Sequence, residues 1–178
     1  MVNPNNKINN SEVSTDEFHK EIDLIQACII RMAQNSFMIK GWAFGIVAAL
    51  VALAAEKLEP CILSAIGIFI LLIFWYLDAF FLTQEKLYRF KYEWVIEERP
   101  KGNREFLYNL NPYNKEMWNH VKNSKTDIIK KRKKPSVISV MFSRPYTLLI
   151  FYGSTMFIGV VVIIISVLKV LLTISQNT

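Results

Sequence analysis

Histidine and cysteine are scarce in this chain, with two of each in 178 residues. His19 and His120 stand in unrelated contexts, and Cys28 and Cys61 fall on different segments. No metal-ligand spacing, CxxC pair or disulfide framework can be built from them. HExxH and GxSxG are absent, and the six glycines form no phosphate-cradling loop. These absences remove the hydrolytic, redox and nucleotide-cleaving classes that carry such motifs. The chain is therefore read as not an enzyme, with no cofactor and no metal. Residues 1–16 are mostly polar, and the acidic group Asp16, Glu17, Glu21 and Asp23 precedes any apolar run, so the N-terminus does not read as a signal peptide. Asparagine-rich residues 1–13 read as a disordered tail.

Apolar residues are abundant, at 52% of the chain with mean hydropathy +0.25. They concentrate in three stretches, 36–55, 61–82 and 146–168. A bilayer core of ~30 Å takes about 20 apolar helical residues to cross. The second and third stretches meet that length outright. The first does so with Lys40 near an interface, its ammonium reaching water. The expected fold class is an all-α integral membrane protein: three transmembrane helices, a small helical cytosolic region and an N-terminal amphipathic helix.

Lys and Arg divide unevenly about these stretches. Residues 1–40 carry four and residues 83–145 carry fifteen, against one in 56–60 and one, Lys169, at the C-terminal end. The positive-inside rule then places the N-terminus and 83–145 in the cytosol and the C-terminus outside, across a bacterial inner membrane.

Along the chain, Ser14 and Glu17 form a capping box that opens an amphipathic helix over 14–35. Phe18, Ile22, Ile25 and Ile29 share one stripe of it, lying on the membrane or packing on the cytosolic part. A two-span hairpin follows at 36–82. The second helix continues past the membrane to Pro100-Lys101-Gly102. The basic region 83–145 contains an Asn-Pro turn near Pro112, a short helix with Met117 and Trp118, and a re-entry segment from Ser136. The third span is expected over 146–170, with a tail at 171–178.

Several residues are candidates for function. Gly41, Gly45 and Ala49 make a small-residue face, for which the second span is the expected partner. Asp78 is a carboxylate at the edge of a span, and such groups are paired or functional by default. Lys40 and Asp78 lie about 18 and 20 residues either side of the outer connector. At 1.5 Å per residue they reach a similar depth, and a pair or gate is expected there. Tyr152, Thr155, Gly159 and Ser166 form the less apolar face of the third span, for packing or for lining a wet path. Lys130, Lys131, Arg132, Lys133 and Lys134, with Lys86 and Arg89, offer a surface for anionic lipid or for phosphates of a nucleotide or oligonucleotide.

Residues 31–42, 74–89 and Phe142-Ser143 followed by 148–152 resemble a group of small bacterial membrane proteins. Some of these are effectors encoded beside nucleotidyltransferases in anti-phage loci, of the Hailong and SLATT types. The resemblance implies an oligomeric ion channel or pore that depolarises the infected cell. It would be gated by a nucleotide-derived signal and partnered by a nucleotidyltransferase. A single chain with three apolar spans encloses no wet pore, so four or more copies are expected. The alternative is a non-conducting membrane anchor that recruits a cytosolic partner.

Overall fold

The computed structural model describes residues 13–54, 59–123, 134–143 and 147–176. All regular structure among them is helical: α1 (Thr15–Ala54), α2 (Pro60–Glu98), a 3-10 turn (Arg99–Lys101), α3 (Lys115–Asn123), α4 (Val137–Met141) and α5 (Thr147–Gln176). Helices α1, α2 and α5 are each long and apolar enough to cross a membrane. Helix α1 runs unbroken through residues 35 and 36, where a junction between an amphipathic helix and a span was expected. No Pro or Gly falls between Thr15 and Lys40, so nothing in the local backbone stops it. Helix α5 likewise continues through residues 171–176, which were expected as tail. Residues 1–12, 55–58, 124–133, 144–146 and 177–178, which include nearly all of the expected N-terminal tail and Lys130 to Lys133, lie outside the described residues.

The contacts divide into two units. The first combines residues 15–32 of α1, 84–98 of α2, the 3-10 turn and α3. Its core is Ile25, Leu87, Phe90, Trp94, Val95, Met117 and Trp118, with Phe18, Ile22 and Ile29 packed against it. The α1 stripe is thus committed to protein packing. Phe90 and Trp118 stack at 4.3 Å, and the Trp118 indole donates to the Pro112 carbonyl at 2.9 Å. Ser14 N–H donates to Glu17 Oε2 at 3.1 Å, one half of the capping box.

A buried ion pair organises the end of this unit. Arg99 donates from Nε to Glu21 Oε2 at 2.7 Å and from Nη2 to Glu21 Oε1 at 2.9 Å, with both side chains almost fully buried. Its Nη1 donates to the Asn103 and Glu105 carbonyls at 2.7 and 3.0 Å. Tyr108 N–H donates to Glu21 Oε1 at 3.2 Å. This framework holds a turn in which Phe106 and Tyr108 take positive φ values of 59° and 56°. Such conformations cost bulky residues on the order of 1–3 kcal/mol each, so the ion pair offsets real strain.

The second unit holds residues 33–54 of α1, 60–83 of α2, α4 and α5. Its core is Ala43, Leu71, Trp75, Ala79, Val140, Leu148 and Tyr152. Residues 136–143 were expected within the basic region. They belong to this apolar unit instead, because Val137, Val140 and Met141 pack into its core. Ser136 caps α4 by accepting from Ser139 N–H. Beyond the core, α5 exposes Ile164, Ile165, Leu168, Leu171, Leu172 and Ile174. An apolar surface that extends around a helix is the pattern of a segment solvated by hydrocarbon rather than water.

Lys91 in the first unit is 1% exposed, and its ammonium has no hydrogen-bond partner among the described residues. Burial pushes it down to about 8, Glu21 opposing the shift and Arg99 adding to it. An unfolded lysine titrates near 10.4. Below pH 8 both states hold the proton and the cost of burying it is fully present. Between pH 8 and about 10.4 the unfolded chain binds more protons, so stability must rise with pH. Thermal unfolding of the purified protein in detergent is expected to show this rise in the wild type. Lys91→Met should be the more stable protein at pH 7, with the gap closing by pH 10.

Candidate functional site

Asp78 sits on α2 and is fully buried. Its carboxylate is held from both other long helices. From α1, Ser36 Oγ donates to Asp78 Oδ1, and Lys40 Nζ lies 2.8 Å from Oδ1 and 2.6 Å from Oδ2. From α5, the Tyr152 hydroxyl donates to Oδ2 at 3.2 Å. Lys40 Nζ also donates to Ser36 Oγ at 2.9 Å. Helical spacing explains the α1 contribution, since Ser36 and Lys40 are four residues apart and share a face.

The cluster is enclosed by aromatic surface. Trp75, one turn before Asp78, stacks on Tyr152 at 6.4 Å and meets Phe142 edge-on at 5.4 Å. Ala79 is fully buried beside the carboxylate, which leaves room for close packing. A carboxylate in such surroundings is tolerable only when paired and hydrogen-bonded. Here it accepts three hydrogen bonds, and the Lys40 ammonium also pairs with its second oxygen. Lys40 differs from its partner, because its side chain is 30% exposed while that of Asp78 is sealed. Lys40 is therefore the one member of the pair with exposed surface, and its departure would leave the buried carboxylate with hydroxyl donors from Ser36 and Tyr152 but no cation.

The structure brings Lys40 and Asp78 together with Tyr152, which the sequence placed only on a stripe of the third span. Ser36 was missed; its signal was the four-residue spacing from Lys40. The rest of that stripe turns toward the chain. Thr155 donates to the Phe151 carbonyl at 2.9 Å, and Gly159 approaches α2 so closely that a Cβ would lie 3.2 Å from Ile68. Ser166 is half-buried. Thr155 and Gly159 also border a groove of about 440 Å³ shared with Leu50, Ser64, Gly67 and Leu71.

The small-residue face needs a correction. The second span was its expected partner, but a Cβ added to Gly41 or Gly45 would meet nothing within 4 Å. Gly41, Gly45 and Ala49 are all exposed. The face of α1 turned to α2 carries Ala43, Val47 and Leu50, and the close approach occurs at Gly67, whose Cβ would lie 3.2 Å from Leu50. Sequence spacing identified the small residues but could not say which side of α1 the neighbour occupies.

Of the basic candidates, Lys134 places its ammonium 5.1 Å from the Tyr113 ring centre and 5.5 Å from that of Trp118. Both rings are thereby occupied by a cation. Lys86 and Arg89 are exposed, and Arg89 is paired with Glu85 at 2.7 Å. Among the described residues no group of His, Cys, Asp and Glu is arranged to hold a metal ion. Comparison with known protein families, with curated proteins and with solved structures finds no match.

Tyr152→Phe removes the only contribution of α5 to the carboxylate while keeping the ring stack. It is expected to destabilise the protein by about 1–3 kcal/mol, the usual effect of taking a partner from a buried charged acceptor. Unfolding in mixed detergent measures this, and an unchanged midpoint would show that the hydroxyl contributes nothing to the joint.

Proposed function

We propose that the protein is an oligomeric membrane effector that conducts ions, with the Lys40–Asp78 pair as its gate element. The observation that carries this reading is an ionic cluster inside an apolar three-helix unit, with one member sealed and the other partly exposed. Ionisable groups at that depth are costly and mark ion paths or switches by default. In this reading the pair closes the site, and a path opens when Lys40 leaves Asp78.

Conduction requires several copies, four or more, because the polar stripe of α5 is used for packing within one chain. The exposed Gly41, Gly45 and Ala49 face is then the contact between copies, where small residues let helix backbones approach. The membrane is the bacterial inner membrane, with residues 83–145 in the cytosol and the C-terminus outside. The basic segment, including Lys130 to Lys134, receives a nucleotide or oligonucleotide made by a nucleotidyltransferase. The resemblance to Hailong-type and SLATT-type effectors supports this regulatory role and a place in anti-phage defence.

A second reading has one observation in its favour. The Asp78 carboxylate is fully bonded within a single chain, as a structural clamp in a non-conducting anchor would be.

Liposome reconstitution separates the two. The channel reading expects ion flux that changes with added oligonucleotide and that Lys40→Met alters by about tenfold, together with a ring of four or more copies. Absence of flux from correctly inserted monomer or dimer would transfer the assignment to the anchor.

A further inference from the structure

We infer that Lys91 is a second, competing partner for the Glu21 carboxylate, and that exchange of Glu21 from Arg99 to Lys91 releases the strained turn at 103–108. In the closed arrangement the hydrogen bonds that Glu21 accepts come from Arg99 and the turn. Oε2 takes Arg99 Nε, and Oε1 takes Arg99 Nη2 and Tyr108 N–H. Lys91 is left 1% exposed, with an ammonium that has no hydrogen-bond partner among the described residues. The groups that act on it electrostatically are Glu21 and Cys28 from α1 and Arg99 from the 3-10 turn, and Glu21 is the only carboxylate among them. One buried carboxylate thus serves two buried cations, and only one is satisfied. An unpaired buried ammonium is costly, and the exchanged pairing relieves that cost at Lys91 while taking the carboxylate from Arg99.

The turn supplies the opposing force. Phe106 and Tyr108 hold positive φ, and the bond from Tyr108 N–H to Glu21 is lost when Glu21 rotates toward Lys91. Release of the strain then favours the open turn, whereas Arg99 favours the closed one through the Asn103 and Glu105 carbonyls. The result is a two-position element in the connection between α2 and α3. It rests on no assumption about conduction.

Hydrogen exchange on the full-length protein in detergent micelles at pH 7 tests it. Lys91→Met removes the competing cation, so amides of residues 105–109 should exchange about fivefold more slowly relative to amides of residues 90–95 in the same molecule. Lys91→Arg keeps a cation there and should restore a ratio near the wild type. In the unmodified protein, chymotryptic cleavage after Phe106, Leu107 or Tyr108, normalised to a peptide substrate, should slow between pH 7.5 and 9.5 as Lys91 loses its proton. Equal slowing of both sets of amides in Lys91→Met would mean uniform stabilisation and would overturn the exchange. So would an unchanged or faster turn in that variant, or cleavage that does not slow at high pH.

Discussion

A carboxylate with no access to water fixes the arrangement of the three long helices. A buried carboxylate in an apolar interior needs partners, and those of Asp78 come from other helices. Ser36 and Lys40 come from α1 and Tyr152 from α5, so the electrostatic requirement of one α2 residue draws both other helices to it. Apolar packing alone specifies such a bundle weakly, because lipid solvates leucine and isoleucine as well as protein does. The polar joint supplies register, and the close approaches at Gly67 and Gly159 follow from helices already aligned.

The first unit solves a related problem with a different result. There too a buried carboxylate, Glu21, ties distant segments together, by joining α1 to the 3-10 turn and the following loop. Asp78 has a single cation and a hydroxyl from each side. Glu21 has one cation in contact and another waiting. The first arrangement pairs a sealed carboxylate with a partly exposed cation, and the second sets one carboxylate between two cations.

Much of the helical layout was legible in the sequence because length and hydropathy decide it. Three long apolar runs, the capping box at Ser14 and the Pro100–Gly102 stop each rest on local chemistry. The depth argument for Lys40 and Asp78 needed only the helical rise and a short connector. Facing was less legible. A GxxxG spacing shows that backbones can approach, but Gly41 and Gly45 point away from α2 while Gly67, with no such motif, lies at the contact. Ser36 and Tyr152 carry no distinguishing pattern, since a hydroxyl in an apolar helix ordinarily bonds its own backbone, as Thr155 does. The Glu21–Arg99 pair is separated by 78 residues, and no spacing rule reaches that far. Residues 136–143 were assigned by their basic neighbours, although their own valines and methionine decide where they pack.

The central claim is that the Lys40–Asp78 interaction holds the apolar helices together as a coupled pair. A double-mutant cycle tests it most directly, using Lys40→Met, Asp78→Asn and the double variant, with unfolding free energies measured in bicelles. Each single variant leaves one polar partner stranded, so the cycle should return a coupling energy of about 2 kcal/mol or more, with the double variant more stable than additivity allows. Additivity of the two substitutions to within about 0.5 kcal/mol would show that the charges do not act on each other, and would contradict the account.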